Sequence, residues 1–182
     1  MSLEAQERSK YERMWDRKGY RKSSPGERAG DHIIAHLRAV GAQSVLDAGC
    51  GSGRLTGRLV DEGFDVQALD IAHNCMDEAQ REKLGDRFRV GCLWDDHDYV
   101  VDAVICTDVL EHIPEEKVPA VMRNLCAWGD HGFLNIAMFH DSFGQQIGET
   151  LHLTVKPKEW WMPLLPEGCE TTGNAKNLVV WW

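Results

Sequence analysis

The sequence lacks any stretch that approaches the ~18 to 20 consecutive apolar residues needed to cross a bilayer. Its N-terminus, MSLEAQERSKYERMWDRKGY, is rich in charged residues and has no apolar core of the kind found in signal peptides. It also contains no C-x-x-C pair, no internal repeat and no low-complexity segment. These absences predict a cytoplasmic protein without a membrane segment, and they disfavour a zinc knuckle.

Basic residues are scarce, with 20 Lys and Arg against 29 Asp and Glu and a formal net charge of −9. This balance opposes attraction to phosphate backbones or anionic lipid, although a local basic groove would still allow nucleic acid. The six cysteines are scattered, and most lie in or beside apolar segments, where a free thiol behaves as a small hydrophobe. We therefore expect reduced thiols, no membrane partner and no standing affinity for nucleic acid.

The sequence does contain an alternation of extended and helical patterns from end to end. Short apolar runs alternate with amphipathic stretches, which predicts a mostly parallel sheet with helices on both faces. The strands are predicted at 44–47, 65–70, 87–94, 101–106 and 132–139, with a closing hairpin within 169–182. The expected fold is one α/β domain over residues 1–182, a three-layer Rossmann-like sandwich. Its seven-stranded sheet is mostly parallel, with an antiparallel last strand.

Helices are predicted between these strands, and the clearest start signal lies at Ser24. This residue can cap a helix, Pro25 suits the first helical position, and Glu27 completes a capping box. Gly41 ends this helix. The other helices are predicted at 3–18, 53–62, 74–85, 114–129 and 156–165.

The segment SVLDAGCGSGRLTGRLV, residues 44–60, places three glycines between a strand and a helix, as nucleotide-binding α/β folds do. Its G-x-G-x-G pattern departs from the dinucleotide pattern G-x-G-x-x-G, because Arg54 stands at the third glycine position. Asp47, just before the loop, would repel a pyrophosphate and attract an ammonium group. S-adenosylmethionine (SAM) carries an ammonium group and no phosphate, and Asp70 can accept both ribose hydroxyls. The pattern favours SAM, with a nicotinamide-dependent oxidoreductase as the rival.

Three segments occur in the order and spacing of a known family: VLDAGCGSGRLT, the acid of VQALD, and ICTDVLEHIP. They resemble the motifs of class I SAM-dependent methyltransferases, and the resemblance covers nearly the whole chain. It implies SAM as cofactor and S-adenosylhomocysteine (SAH) as product. It also implies that Gly49, Gly51 and Gly53 wall the methionine side, that Asp47 meets the amino group and that Asp70 binds the ribose. The implied cofactor residues are Asp47, Gly49, Cys50, Gly51, Gly53, Asp70, Ile71, Leu93, Trp94, Thr107, Asp108, Tyr20 and Arg21.

The adenine contacts depart from the family pattern. Members often have an acid that touches the adenine amine after the third strand, where this chain has Cys92 or, further on, Asp95. Leu93 and Trp94 fall in the same segment and are the candidates for contact with the adenine ring.

The N-terminal residues 1–29 are expected to form a helical arm that folds over the cofactor bound to the core, residues 30–182. Tyr20 is predicted to be a lid residue. Arg21 is predicted to meet the methionine carboxylate, because a guanidinium pairs well with a carboxylate.

The segment DVLEHIPEE follows the fourth strand, at the sheet edge where ligands bind in open α/β folds. If this turn is helical, Asp108, Glu111 and His112 share one face. Methyl transfer to a hydroxyl needs an oriented acceptor and removal of its proton. His112 is the predicted base, since histidine titrates near neutral pH. His140 and His152, after the fifth strand, are further candidates on the acceptor side.

The same segment resembles two subgroups of methyltransferases. Asp/Glu-x-x-Glu-His with a distant histidine is similar to the metal site of small-RNA 2′-O-methyltransferases, which would make Asp108, Glu111, His112 and His152 metal ligands. Ubiquinone-pathway O-methyltransferases carry a similar LEH segment, and such segments are widespread in methyltransferases that use no metal. A divalent metal is therefore not expected. The two acids could also serve only as negative charge near a helix N-terminus.

The sequence thus predicts a SAM-dependent methyltransferase that acts on a small molecule through a hydroxyl oxygen, with a carbohydrate-related acceptor as one option. One alternative is metal-assisted 2′-O-methylation of RNA or a nucleotide, which a basic patch around Arg21, Lys22 and residues 156–158 would favour. Another is a SAM-binding protein without catalysis. Two aromatic pairs, residues 160–161 and 181–182, could wall an acceptor site, with core packing as the alternative.

Overall fold

The computed structural model describes residues 1–22 and 24–182. Its centre is a seven-stranded sheet with the order β3-β2-β1-β4-β5-β7-β6. Among the described residues, the strands are β1 (Ser44–Ala48), β2 (Asp65–Asp70), β3 (Phe88–Val90), β4 (Val101–Thr107), β5 (Gly129–Ala137), β6 (Glu170–Gly173) and β7 (Asn177–Trp181).

The directions of the strands confirm the predicted fold class. β1 pairs in parallel with β2 and β4, β2 with β3, and β4 with β5, whereas β7 runs antiparallel to both β5 and β6. In this register Asp47 is paired with Ala68 on one side and Ile105 on the other. The carboxyl ends of β1, β2 and β4 therefore meet at one edge of the sheet, where open α/β folds bind ligands.

Helices cover both faces of the sheet. In the described part of the chain they are α1 (Leu3–Trp15), α2 (Lys18–Arg21), α3 (Pro25–Ala39), α4 (Arg54–Asp61), α5 (Glu78–Leu84), α6 (Val118–Trp128) and α7 (Lys158–Trp161). Val45 of β1 belongs to a buried cluster with side chains of α1, α3, α4 and α5, and its neighbour Leu46 belongs to a second cluster with α6 and α7. Successive strand residues thus bury opposite faces, which gives the predicted three layers.

Several predicted boundaries differ from the structure. The third strand was predicted over 87–94 but ends at Val90, because a turn follows in which the Asp95 N–H donates to the carbonyl of Cys92 at 3.2 Å. β5 starts three residues earlier than predicted, at Gly129. The helix predicted over 156–165 is a single α-helical turn followed by a 3-10 turn at Met162–Leu164.

The predicted capping box before α3 is not formed. Pro25 does begin the helix, but the Ser24 side chain makes no capping hydrogen bond. Glu27 lies 3.7 Å from Arg54 on α4, so its carboxylate faces a cation on another helix. The sequence therefore predicted the first residue of α3 correctly, but the predicted capping hydrogen bonds were wrong.

No helix in residues 1–22 and 24–182 combines the length and the apolar composition that spanning a bilayer requires. All six cysteines are free thiols. Three of them, Cys75, Cys92 and Cys106, are buried, as expected for small apolar side chains.

Candidate functional site

The glycine loop after β1 has a backbone that only glycine adopts without strain. Gly49 and Gly51 have φ angles of 83° and 52°. A Cβ on Gly49 would lie 2.4 Å from a methyl group of Val109, and a Cβ on Gly51 would lie 2.9 Å from the ring of Trp15. The Gly49 N–H donates to the carbonyl of Leu69 at 2.7 Å. These contacts hold the loop against the end of β2.

Two connected cavities open at this edge of the sheet. The narrow cavity, of about 90 Å³, lies between the loop, the end of β2 and the turn after β3, and the wide cavity, of about 370 Å³, extends towards the segment after β5. Both are lined by Trp15, Tyr20, Gly49, Gly51, Asp108 and His112. The shared lining makes them two parts of one site.

The structure brings most of the predicted residues to these cavities. The narrow cavity is also lined by Asp70, Ile71, Leu93 and Trp94. The wide cavity is also lined by Asp47, Cys50, Thr107, His140 and His152. Gly53, Arg21 and Glu111 line neither cavity. Gly53 instead begins α4 with a φ of 75° and faces Met76.

Asp47 lies at the end of β1 with 2% of its surface exposed. Thr56 on α4 donates its hydroxyl to the Asp47 carboxylate at 2.5 Å. Burial raises the pKa of Asp47 to about 6, and the negative charge of Asp70 adds to the shift while the Thr56 hydrogen bond opposes it. At neutral pH this carboxylate is ionised but poorly solvated, so a ligand that brings an ammonium group would compensate its charge.

Asp70 ends β2 and fixes the glycine loop. One carboxylate oxygen accepts the N–H of Gly51 at 2.9 Å, and the other accepts the N–H of Ala72 at 2.9 Å. Each oxygen keeps a further lone pair for a ligand hydroxyl. Burial raises the pKa of this carboxyl, against the effect of the two backbone donors. Asp70 can therefore hold the loop and bind a diol at once.

Asp108 does not belong to a helical turn. Its φ is 54°, and the 3-10 turn begins only at Leu110. Its N–H donates to the carbonyl of Asn135 at 2.8 Å, and its carboxylate accepts the Asn135 side-chain amide at 2.7 Å. The prediction that Asp108, Glu111 and His112 share one helical face was wrong, because the chain turns at Asp108 in the left-handed region.

Glu111 lies behind the walls of the two cavities and lines neither of them. It is fully buried, and neither carboxylate oxygen has a hydrogen-bond partner within the described residues. Burial, with a further contribution from the charge of Asp108, raises the pKa of Glu111 well above its ordinary value. Its charged form is therefore disfavoured by burial, and a cation next to it would stabilise that form.

His112 presents one ring nitrogen to the site. Its Nδ1 lies 3.2 Å from the carbonyl of Leu151 and 2.8 Å from the Tyr11 hydroxyl. A carbonyl only accepts, so we assign the ring proton to Nδ1, which leaves Nε2 with a free lone pair. Burial, and then the neighbouring His152, lower the pKa of His112 to about 3. The imidazole is thus neutral throughout the physiological range, and the reason for which His112 was predicted to be the base, a pKa near neutral, was wrong.

His152 meets His112 at the wall of the wide cavity, with ring centroids 4.6 Å apart and planes at 86°. Its Nδ1 lies 2.6 Å from the carbonyl of Phe139, so the same reasoning assigns the proton of the neutral ring to Nδ1. One ligand atom each from Glu111, His112 and His152 lie within 4.8 Å of one another. Asp108 is not part of this group, which corrects the four-residue set that the resemblance implied.

The N-terminal arm supplies site residues that the sequence did not single out. Glu7, Tyr11 and Trp15 of α1 line the narrow cavity, and Trp15 also lines the wide one. Their spacing of four residues was a visible signal, since residues four apart share one helix face. Tyr20 packs edge-on against Trp15, with centroids 4.7 Å apart, and against Phe143 at 5.7 Å. The arm therefore covers the junction of the two cavities.

Arg21 fastens this arm to the loop after β2. Its guanidinium donates to the carbonyls of Asn74 and Cys75 and to the carboxylate of Asp77, the last at 3.0 Å. The side chain is held there, outside the lining of both cavities, and the structure does not place it to meet a methionine carboxylate. Arg28 of α3 lines the wide cavity and is the arginine that the structure does place in the site.

The tryptophan pairs do not reach the cavities. Trp161 is fully buried in the core with α6, and Trp160 packs edge-on against it with centroids 4.9 Å apart. Trp181 and Trp182 are partly buried against opposite faces of the sheet. The aromatic rings that the wide cavity does contain belong to Trp15, Tyr20, Phe139 and Phe143.

Comparison with known proteins identifies relatives of this chain. A family model described as a methyltransferase domain matches residues 45–132. Ubiquinone biosynthesis O-methyltransferase of Rickettsia bellii (strain OSU 85-389) is 31% identical over 100 residues, which are 52% of this chain and 41% of the relative. The protein of that name from Yersinia pestis (strain Pestoides F) is 28% identical over 197 residues, covering 98% of this chain and 75% of the relative. The chain thus spans less than half the length of the Rickettsia relative.

The fold is also found among solved structures. Magnesium protoporphyrin IX methyltransferase from Synechocystis PCC 6803 with bound SAM superposes with a TM-score of 0.71 at 20% identity, covering 100% of this chain and 96% of the other. At this identity the likeness concerns the fold.

Proposed function

The chain belongs to the class I SAM-dependent methyltransferases, and from this premise we propose that it transfers a methyl group from SAM to a hydroxyl oxygen of a small molecule. The observation that carries the proposal is the pair of buried carboxylates, Asp47 and Asp70, at the ends of adjacent strands on either side of a glycine loop. Together they match a ligand with an ammonium group and a ribose diol.

The proposed cofactor would supply an electrophilic methyl group. In this arrangement Asp47 would accept the ammonium group, with Gly49 and Gly51 as the wall beside it and Arg28 as the cation nearest the methionine carboxylate. Asp70 would accept the ribose hydroxyls. Leu93 and Trp94 would border the adenine, since they line the narrow cavity beyond Asp70.

The acceptor would enter the wide cavity, where His112 and His152 each keep a ring nitrogen free to accept a hydrogen bond from its hydroxyl. Their Nδ1 atoms are fixed by the carbonyls of Leu151 and Phe139. These two hydrogen bonds hold each imidazole ring in one orientation. A fixed ring favours proton transfer from an oriented hydroxyl. His140 is exposed at the rim and is proposed to contact the acceptor.

A small acceptor is proposed because of the size and lining of the wide cavity. Its volume of about 370 Å³ and its aromatic side chains suit a ring compound rather than a polymer. The name of the two curated relatives refers to an O-methyltransferase, which supports a hydroxyl acceptor. A carbohydrate-related acceptor fits the same cavity.

The proposal also covers the organisation of the chain. Residues 1–29 would act as a lid on a single domain of residues 1–182, which is supported by the arm residues in both cavities. Action in the cytoplasm stays a prediction from the scattered cysteines.

The direct experiment is an acceptor screen that measures SAH release from purified protein. Hydroxylated aromatic and sugar compounds are expected to release SAH, and His112→Ala is expected to abolish most of this release while SAH binding is retained. SAH binding by calorimetry without release for any acceptor would instead support a SAM-binding protein without catalysis. Binding of NADH in preference to SAH would overturn the assignment.

A metal-assisted variant of the reaction is the second candidate, and the observation that favours it is the group formed by Glu111, His112 and His152. Two imidazoles with fixed Nδ1 protons and a buried carboxylate without partners suit a divalent cation. A bound cation would polarise an acceptor hydroxyl and lower its pKa. These three residues would hold it, with Glu111 as the anionic ligand.

The acceptor of this variant was predicted to be RNA or a nucleotide, and the charges of the predicted basic patch give it little support. Lys156 pairs with Glu115 at 2.7 Å, and Arg21 pairs with Asp77 at 3.0 Å. Activity that survives excess EDTA would dispose of the metal. Loss of activity with EDTA, restored by Mg²⁺ or Mn²⁺ and absent in Glu111→Gln, would establish it.

A further inference from the structure

Two cysteines and the carboxylate of Asp70 meet between the glycine loop and the segment after β2. One ligand atom each from Cys50, Asp70 and Cys75 lie within 4.8 Å of one another. Cys75 is fully buried, Asp70 is 8% exposed and Cys50 is partly buried. The two cysteines are far apart in the sequence, so no C-x-x-C pattern predicted this group. The group exists only because the fold brings the two segments together.

Backbone hydrogen bonds hold each member of the group in place. The Cys50 N–H donates to the carbonyl of Leu69 at 3.2 Å, and the Cys75 carbonyl accepts the guanidinium of Arg21 at 2.9 Å. The Asp70 carboxylate accepts two backbone N–H groups. Supporting contacts of this kind orient ligands for a metal ion before the ion binds.

Two thiols and one carboxylate suit Zn²⁺ as a ligand set. Thiolates prefer soft and borderline cations such as Zn²⁺, whereas Mg²⁺ and Ca²⁺ prefer oxygen ligands. Around a tetrahedral Zn²⁺ such donor atoms lie about 3.6–3.8 Å apart, so atoms within 4.8 Å of one another need only small side-chain shifts. Three protein ligands leave the fourth position to water, which has access from the cavities that Cys50 and Asp70 line.

The protonation of the two thiols allows this group to exist without a cation. Burial raises the pKa of both Cys50 and Cys75, so both thiols are neutral at neutral pH and do not repel the Asp70 carboxylate. A bound Zn²⁺ would displace both thiol protons to the solvent. Because two protons leave as a doubly charged cation arrives, the net charge of the group would not change.

We propose that Cys50, Asp70 and Cys75 bind Zn²⁺, and that bound Zn²⁺ and the cofactor exclude each other. The Asp70 oxygen that ligates the cation would use a lone pair that the proposed function assigns to a ribose hydroxyl. Zn²⁺ would therefore hold the protein in a cofactor-free state, and SAM or SAH would displace the cation. The metal site itself does not depend on the proposed function, whereas the mutual exclusion rests on it.

The test uses Co²⁺ in place of Zn²⁺ on the full chain, purified without metal. Thiolate ligands give Co²⁺ a strong sulfur-to-metal charge-transfer absorption, which the nitrogen and oxygen ligands of Glu111, His112 and His152 cannot give. This absorption is expected to appear when Co²⁺ is added and to disappear with excess Zn²⁺. It should be lost in Cys75→Ser, because a single thiolate with a carboxylate binds weakly.

Two variants serve as controls for other metal sites. Cys92→Ser is the matched control, because Cys92 is also buried beside the narrow cavity and forms another group of potential ligands with Glu4 and Asp95. Glu111→Gln tests the histidine group. Both variants should keep the absorption. If Cys75→Ser does not fold because its hydroxyl is buried in an apolar cluster, Cys75→Ala provides the same comparison.

Calorimetry and the same absorption measure the mutual exclusion. At a free Zn²⁺ concentration of about 10 times its own Kd, the apparent Kd for SAH should rise about 10-fold. In Cys75→Ala the same concentration of Zn²⁺ should change this Kd by less than about 2-fold. Addition of SAH to the Co²⁺-loaded protein should remove the charge-transfer absorption.

Each part of the inference has its own contrary result. An absorption that persists in Cys75→Ala, or that is lost in Cys92→Ser, would overturn the assignment of the ligands. No absorption in an unmodified protein that binds SAH tightly would refute the metal site and leave the proposed function standing. An absorption that bound SAH does not remove would refute the mutual exclusion. A protein that shows the absorption but does not bind SAH would refute the proposed function and keep the metal site.

Discussion

Replacement of Asp47 by Asn should stabilise the protein without ligand and weaken its binding of SAH. The Asp47 carboxyl is 2% exposed, and its pKa is raised from 3.8 to about 6. At about 1.36 kcal/mol per pH unit, this difference corresponds to a destabilisation of about 3 kcal/mol once the group is ionised. Asn has nearly the same shape and can still accept the hydroxyl of Thr56. The variant should therefore avoid most of this cost.

The raised pKa of Asp47 determines how the free energy of unfolding changes with pH. Between pH 3.8 and about 6 the folded state holds a proton on Asp47 that the unfolded state has released. The stability that the protonated Asp47 side chain contributes is therefore complete below pH 3.8 and is lost as pH rises through 6. The gap in unfolding free energy between Asp47→Asn and the unmodified protein should widen by about 2 kcal/mol from pH 4.5 to pH 7.5.

Urea denaturation at the two pH values measures this gap, and calorimetry with SAH measures the loss of affinity, expected at roughly 10-fold to 100-fold. Asp61→Asn is the control, because Asp61 is 62% exposed and pairs with Lys83 on the surface. It should change stability by less than about 1 kcal/mol. A gap that does not change with pH, or an Asp47→Asn variant less stable at pH 7.5, would refute the reasoning.

Four further predictions follow from individual residues. His112→Ala should lower kcat by roughly 100-fold while the Kd for SAH by calorimetry stays within about 3-fold, and unchanged turnover would remove His112 from the reaction. Since the pKa of His112 is about 3, a kcat profile from pH 5 to 8 should show no loss of activity from its protonation. Asp70→Ala should weaken SAH binding and also lower stability by about 1–3 kcal/mol in urea, since two backbone N–H groups lose their acceptor. Gly49→Ala, with φ at 83° and a contact of 2.4 Å to Val109, should destabilise by about 1–3 kcal/mol, and a neutral result would show that the loop relaxes freely.

Local sequence patterns predicted the elements whose signals lie within a few residues. The positions of β1, β2, β4 and the start of α3 at Pro25 followed from apolar runs and from helix-start residues. The third strand was overextended, because the apolar residues of 92–94 resemble a strand although they line a cavity. Apolar character alone does not distinguish a buried strand from a pocket wall.

The candidate site was predictable in its residue types and less so in its geometry. Asp47 and Asp70 could be placed because parallel strands bring their carboxyl ends to one edge. The conformation of Asp108 could not, since its left-handed φ depends on a pair of hydrogen bonds with Asn135 on another strand. The burial of Glu111 was equally hidden, because the segment was expected to place Glu111 on one helical face with Asp108 and His112 at the ligand-binding edge of the sheet.

The sequence by itself determined the α/β alternation, the glycine loop and the two carboxylates beside it, because each depends on spacing along the chain. The tertiary structure alone decided which distant groups meet. It brings His152 to His112, fixes both rings through backbone carbonyls and lays α1 across the cavity so that Glu7 and Tyr11 become site residues. Such contacts join residues far apart in the chain, and no local periodicity encodes their distances.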